Sequence, residues 1–171
     1  WLFPILALGV KFSGKGPVFF KQKRTGLKDG DFTIYKFTSM AVNKEADVRQ
    51  AIAGDTRITS FGRFMRKHNL DELPQFFNVL KGEMSVVGPR PHMLAHTEKY
   101  TALIDKYMVR HFAKPGITGL AQVSGLRGET RTTKEMEERV KTDVYYIENW
   151  SVLLDVKIIL LTVFKTISGK K

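Results

Sequence analysis

Cysteine is absent from the 171 residues, so disulfides, zinc–thiolate sites and thiol catalysis are excluded, and a reducing compartment is permitted. A membrane-spanning run is missing at the start of the chain. Residues 1–10 (WLFPILALGV) are uncharged, but ten residues cannot cross a bilayer. They also lack the basic start and small-residue cleavage site of a signal peptide. No Gly-Lys-Ser/Thr follows a glycine-rich loop, which excludes a Walker-type phosphate cradle, and no Gly-x-Ser-x-Gly elbow supports acyl transfer. Internal repeats and low-complexity tracts are absent as well. Acidic residues are scarce beside basic ones, leaving a formal net charge of +11. Such an excess calls for an anionic partner: nucleic acid, an anionic membrane surface or a phosphorylated substrate.

What is present narrows that choice. Hydrophobic residues make up 43% and charged residues 26%, a composition that folds rather than one that stays disordered, and the length suits one domain. Residues 1–70 carry 13 Lys and Arg against 5 Asp and Glu, whereas residues 71–171 carry 15 against 12. The positive excess therefore sits beside the apolar end, as on a surface facing lipid headgroups more than in a nucleic-acid groove. The chain begins at Trp1 rather than Met, and it reads as a piece of something longer. Residues 1–10 fit either a buried core segment or the tail of a membrane-inserted helix broken at Pro4, with Lys11 and Lys15 at the interface.

Residues 17–38 (PVFFKQKRTGLKDGDFTIYKFT) predict a β-hairpin around Gly26, Asp29 and Gly30. A short surface helix is expected over 44–53. Residues 60–68 place Phe61, Phe64, Met65 and His68 at helical spacing, with Arg63, Arg66 and Lys67 on other faces. That basic amphipathic segment suits a membrane surface or a solvated face equally. A helix is expected over 71–82, with Asp71 as N-cap, Pro74 in the first turn and Gly82 closing it. A loop (85–92) and a helix reaching about Ala113 follow, stopped by Pro115 and Gly116. Residues 116–131 (GITGLAQVSGLRGETR) hold four glycines and read as one long loop. Thr132 and Glu135 predict a capping box for a helix ending near Glu148. In a last helix over 150–167, Ser151, Asp155, Thr162 and Thr166 fall within about 60° of one another. With Asp155 and Lys157 inside it, an interfacial helix or one packed beneath the domain fits better than a span.

Three groups could carry chemistry. Asp71 and Glu72 open a helix, where the dipole would keep Asp71 ionised, able to attack phosphorus or hold a divalent cation. The same pair is ordinary helix-start chemistry. Arg90, between Pro89 and Pro91, projects from a stiff loop and suits a phosphate, although a rigid surface turn has the same look. Arg127 lies between Gly125 and Gly128, where a backbone can come close to an anion. His92 and His96 have metal-ligand spacing, but no Glu follows His92 as a zincin requires.

Five blocks in order carry more than any of these alone: GPVFFKQKRTG (16–26), FTIYKFTSM (32–40), LDELPQFFNVLKGEMSVVGPRPHM (70–93), KPGITGLAQVSGLRG (114–128) and YIENWSVLLDVKII (146–159). The series resembles the bacterial sugar transferase family, monotopic polyprenyl-phosphate hexose-1-phosphate transferases. The resemblance implies an α+β fold, mostly helical and membrane-associated, with a small β-hairpin. Residues 1–12 would be the second limb of a re-entrant membrane helix whose first limb is missing, and 13–171 the catalytic domain. It further implies transfer of hexose-1-phosphate from a UDP-sugar to undecaprenyl phosphate, with Mg²⁺ and release of UMP, starting a polysaccharide repeat unit. Asp71 would be the nucleophile and a metal ligand, with Glu72 as its partner. Arg90, Arg127 and Lys36 would bind phosphate, and Glu83, Pro89 and Pro91 would line the pocket. The expected location is the cytoplasmic face of a bacterial inner membrane, with lipid rather than nucleic acid as partner and a homo-oligomer allowed. Two rival readings are a basic lipid- or nucleic-acid-binding module without chemistry, and a soluble nucleotide-sugar glycosyltransferase. The first leaves the clustering of Asp71, Glu72, Glu83 and Arg90 unexplained. The second needs a regular alternation of strands and helices that is not present.

Overall fold

The first element of the computed structural model, which describes residues 1–42, 50–52 and 54–168, is a helix, α1 (Leu2–Ser13). Pro4 falls in its first turn, where its missing N–H leaves no helical hydrogen bond unmade. Leu6 and Val10, one turn apart, are buried against Phe37 and Met65. The other side of α1 (Trp1, Ile5, Leu8, Phe12) is exposed. The helix therefore buries one face in the core and leaves the other, also apolar, uncovered.

The hairpin forms as expected. Strands β1 (Phe19–Thr25) and β2 (Asp31–Phe37) pair antiparallel from Phe19 opposite Phe37 to Thr25 opposite Asp31. Gly26 N–H donates to Gly30 O (2.9 Å) across a tight turn. The surface helix expected over 44–53 lies largely outside the described residues. Helix α2 (Ser60–Lys67) starts where Thr59 Oγ1 accepts from Gly62 N–H (2.9 Å).

The segment after α2 differs from expectation. Asn69, left-handed at φ 56°, reverses the chain into a 3₁₀ turn, Leu70–Glu72, and helix α3 (Gln75–Leu80) begins only after Pro74. Asp71 is therefore inside a tight turn and is not a helix N-cap. Leu73 and Pro74 both keep right-handed helical backbone, but Pro74 has no N–H to donate to Leu70 O, so the turn is not continued as an α-helix and α3 starts after the proline. Gly82 (φ 77°) ends α3 as expected, donating to Val79 O (2.9 Å).

Two segments read as loops contain paired strands. β3 (Ser85–Val87) runs parallel to β4 (Gly116–Thr118), and the crossover between them holds α4 (Leu94–Thr101) and a 3₁₀ turn, Tyr107–Phe112. The single helix expected up to Ala113 is broken, with Lys106 left-handed at φ 59°. That break lets Tyr107, Arg110 and His111 turn inward. Helix α5 (Leu120–Val123) occupies part of the glycine-rich stretch.

Helix α6 (Thr133–Glu148) has the foreseen cap: Thr132 Oγ1 accepts from Glu135 N–H (3.2 Å). The return bond goes from Arg131 N–H to Glu135 Oε2 (2.8 Å). Met136, Val140 and Val144 pack with Tyr100, Ile104 and Tyr107 in one core cluster.

Helix α7 (Val152–Ser168) is turned inside out relative to a water-facing helix. Its polar edge faces the protein: Asp155 accepts from Tyr146 OH (2.8 Å) and Trp150 Nε1 (3.1 Å), Thr162 bonds Thr118 (2.7 Å), and Thr166 bonds Asn69 (3.0 Å). Only Ile158 is fully buried, and a run from Val152 to Ile167 (Leu153, Val156, Leu160, Val163, Phe164) faces out. The helix packs against the domain, as one of the two expectations had it, and it still presents an apolar face outward. Among the described residues no helix is long and apolar enough to cross a membrane.

Candidate functional site

Asp71 and Glu72 sit together in the 3₁₀ turn, each only 7% exposed. A tight turn sends neighbouring side chains in different directions. Glu72 meets cations from three separate segments. Lys36 Nζ of β2 donates to Oε1 at 2.7 Å, and Arg90 reaches both oxygens, Nη2 to Oε1 at 2.7 Å and Nη1 to Oε2 at 3.4 Å. Arg127 Nη2 stands 3.9 Å from Oε2. Burial pushes the Glu72 carboxyl up, but Arg90 and Lys36, with Arg127, outweigh it and hold it well below the usual carboxylate range. In turn, Glu72 holds the Arg90 guanidinium more firmly protonated.

Asp71 has the opposite setting. Among the described residues none donates a hydrogen bond to its carboxyl. Burial first, and the Glu72 charge second, push its pKa up, outweighing Lys36, Arg66 and Arg90. The dipole of a helix start does not govern this group, because it is not at one; desolvation does.

The loop bearing Arg90 is braced from behind. Its own carbonyl accepts from Arg110 Nη2 (2.8 Å), the Pro91 carbonyl from Arg24 Nη1 (3.3 Å), and the Pro89 carbonyl from Gly116 N–H (2.9 Å). Arg110 is fixed by Asp143 of α6 at 2.6 Å, a pair whose side chains are 1% and 3% exposed. Pro89 and Pro91 therefore act with a ring of donors to keep Arg90 pointed at Glu72.

The structure gathers Asp71, Glu72, Lys36, Arg90 and Arg127 into one cluster. Glu83 is not part of it: it accepts from Asn78 Nδ2 (2.7 Å), and the same amide donates to Thr33 O (2.7 Å), tying α3 to the hairpin. Among the described residues Glu83 shares no hydrogen bond or ion pair with the dyad or its cations. His92 is buried with Nδ1 2.6 Å from Tyr107 OH, and burial, then Arg110, keeps it neutral. Its ring centre is 6.2 Å from that of His96, edge to face.

Sequence reasoning missed Arg110, Asp143 and Asn69. For Asp143 a signal was available: with Met136, Val140 and Val144 it follows the core spacing of α6, so a charge stood where a hydrophobe was due. Asn69 links the cluster to α7, accepting from Arg127 Nη2 (2.5 Å) and donating to Thr166 Oγ1 (3.0 Å).

The donor set can be tested against a divalent cation. Among the described residues no group of three or more His, Asp or Glu side chains could hold a metal. Glu72 is already committed to cations, so Asp71 is the one carboxylate of the cluster with open acceptor sites. One carboxylate plus substrate phosphates is the ordinary environment of Mg²⁺, and the residues present fit that arrangement.

A family model described as bacterial sugar transferase matches residues 1–169. The chain is 54% identical over 167 residues to the UDP-glucose:undecaprenyl-phosphate glucose-1-phosphate transferase of Klebsiella pneumoniae, covering 97% of this chain and 36% of that protein. The protein of the same description in Escherichia coli K12 is 53% identical over 166 residues, 96% of this chain and 36% of that one. A UDP-N-acetylgalactosamine-undecaprenyl-phosphate N-acetylgalactosaminephosphotransferase of Aeromonas hydrophila is 43% identical over 164 residues, 95% and 38% of the two chains. The chain spans about a third of the length of these relatives.

Proposed function

The chain belongs to the bacterial sugar transferase family, and from that premise we propose that it is the catalytic part of an enzyme that transfers hexose-1-phosphate from a UDP-sugar to undecaprenyl phosphate. The observation that carries the mechanism is the unequal treatment of the two carboxylates. Glu72 is immobilised by Lys36, Arg90 and Arg127 and cannot leave them without exposing three cations. Asp71, beside it, is desolvated and among the described residues accepts no hydrogen bond, which leaves its lone pairs available and its basicity raised.

In the first step an Asp71 carboxylate oxygen forms a bond to the β-phosphorus of the UDP-sugar. The bond from that phosphorus to the bridging oxygen breaks, and UMP departs with the electron pair. In the second, a phosphate oxygen of the lipid attacks the same phosphorus and the Asp71–phosphorus bond breaks. The products are the lipid diphosphosugar and the original carboxylate. Arg90, Arg127 and Lys36 supply positive charge where the phosphoryl oxygens gather it, fixed in advance by Glu72 and by the brace on the Arg90 loop. Mg²⁺, held by Asp71 together with substrate phosphates, would supply further neutralisation of the diphosphate charge.

Residues 1–12 are assigned in this reading to the second limb of a re-entrant membrane helix, and 13–171 to the catalytic domain. The exposed apolar faces of α1 and α7, beside a chain of net charge +11, support seating on the cytoplasmic face of a bacterial inner membrane. Product formation there would begin a polysaccharide repeat unit.

The test is incubation of the full-length protein with undecaprenyl phosphate, Mg²⁺ and a panel of UDP-sugars, since the relatives' names span glucose and N-acetylgalactosamine. Wild type is expected to release UMP with at least one sugar, and Asp71→Asn to lose on the order of 10³-fold or more in rate. Undiminished turnover by Asp71→Asn would sink the nucleophile, and no turnover by wild type with any sugar would sink the function.

A further inference from the structure

Helix α6 carries two charges on the face it turns inward, Arg139 and Asp143, one turn apart. Both are buried, at 6% and 2% exposed. Asp143 is committed to Arg110, which in turn donates to the Arg90 carbonyl. Among the described residues Arg139 forms no ion pair, and its one side-chain hydrogen bond runs from Nη2 to Gly128 O at 3.2 Å. A buried guanidinium without its own anion costs free energy that an apolar residue at the same point of the helix would avoid. The bond to Gly128 is therefore the contact that needs a physical account.

Gly128 closes the segment that bears Arg127. Gly125 and Gly128 hold φ at 89° and 100°, a left-handed backbone that glycine enters and leaves at little cost, so this segment keeps one course only where something fixes it. Two anchors flank Arg127. Before it, Leu126 N–H donates to Ala121 O of α5 (2.9 Å). After it, the Gly128 carbonyl accepts from Arg139 and from Gln50 Nε2 (2.9 Å). Between the anchors the Arg127 side chain reaches Asn69 and faces Glu72. A charged donor shielded from water grips a carbonyl more firmly than the outlying Gln50 amide does. Burial first, and the Arg90 charge second, pull the Arg139 pKa down, so Arg139 also stands within electrostatic reach of Arg90.

Resting on the transferase reading above, we propose that Arg139 is a positioning residue: from α6 it holds the Gly128 carbonyl and thereby keeps Arg127 turned toward Glu72. Arg110, fixed by Asp143 of the same helix, does the corresponding work at the Arg90 carbonyl. One helix face thus sets both arginine loops, each through a backbone carbonyl and not through the arginine side chain. The guanidinium groups of Arg90 and Arg127 keep their outer donors for phosphate, while two buried arginines behind them fix where they stand.

A double-mutant cycle in the full-length protein tests this. Arg139→Met is expected to lower kcat/KM for a UDP-sugar about 10- to 100-fold when Arg127 is present. In an Arg127→Ala background the same change should lower it no more than about twofold, because a residue acting through Arg127 has nothing left to position. Equal falls in the two backgrounds overturn the proposal, since a general loss of fold would act in both. No fall in either overturns it too. Hydrogen exchange gives a readout that needs no turnover: amides within residues 125–131 are expected to exchange at least about tenfold faster in Arg139→Met, with those of β1 and β2 unchanged. Unchanged exchange within 125–131 overturns the anchor. Should the methionine variant fail to fold, Arg139→Gln, shorter but still polar, carries the same cycle and the same exchange comparison. If the loop loosens as expected in a protein that turns over no UDP-sugar, the transferase reading fails and the anchor stands.

Discussion

In the turn Leu70–Glu72, one carboxyl is gripped by Lys36, Arg90 and Arg127 and the adjacent one is buried with no donor among the described residues, so folding moves their proton affinities in opposite directions. The consequences for stability have opposite signs. Asp71 binds its proton more tightly in the native state, a contribution present below the usual value of 3.8 and lost as pH rises through the raised native value. Asp71→Asn keeps the shape without the charge, so it is expected to raise the thermal midpoint at pH 7 and to match wild type below about pH 3.8. Glu72 contributes stability above its usual 4.5 and loses it as pH falls through the depressed native value. Glu72→Gln is expected to cost about 3 kcal/mol in urea unfolding at pH 7, because three cations lose their anion, with the deficit shrinking in acid. A lower midpoint for Asp71→Asn at pH 7 would contradict the desolvated setting of Asp71. Five of these residues were legible beforehand. Asp71, Glu72, Arg90 and Arg127 stand at turns and glycine or proline boundaries, and Lys36 came through the family resemblance. Glu83, though close in sequence, stands apart from the cluster, accepting a hydrogen bond from Asn78.

Short elements decide how rigidly the Arg90 loop is held. β3 and β4 pair over three residues each, and the backbones at Gly88, Gly116 and Gly119 approach too closely for any side chain. A Cβ on Gly119 would lie 2.2 Å from Gly88 O, although φ there is extended, so the obstacle is steric. Gly119→Ala is therefore expected to lose about 2–4 kcal/mol in urea unfolding and to loosen the strand end that leads into Pro89. An unaltered midpoint would show that the two backbones can part freely. The sequence foretold the elements with a long period or a chemical stop: the hairpin, α6 with its Thr132 cap, and the α3 end at Gly82. It could not foretell three-residue strands, because one alternation has no periodicity to detect and their pairing joins residues about thirty apart. The break in the helix after Thr101 has the same origin, since Tyr107, Arg110 and His111 turn inward for tertiary partners.

At the scale of the whole molecule, α1 and α7 each give one side to the protein and an apolar side to the surroundings. The full chain is expected to partition onto anionic phospholipid vesicles, and raised salt should remove only part of the binding. A Leu160→Asp, Phe164→Asp double variant should lower the bound fraction at least about tenfold with little change in thermal midpoint, as both side chains are already exposed. Equal binding by the variant would mean that charge alone holds the protein to lipid. Composition and motif order determined much of this in advance: a strong positive excess, no thiol chemistry, the family, the hairpin, and the polar stripe of α7. Only tertiary structure decided which way that stripe faces, that Asp71 is governed by burial rather than by a helix end, and that Arg110 and Asp143 stand behind Arg90. The reason is physical. Periodicity and capping act within a few residues, whereas desolvation and charge pairing depend on which distant segments close around a group, and no local pattern records that.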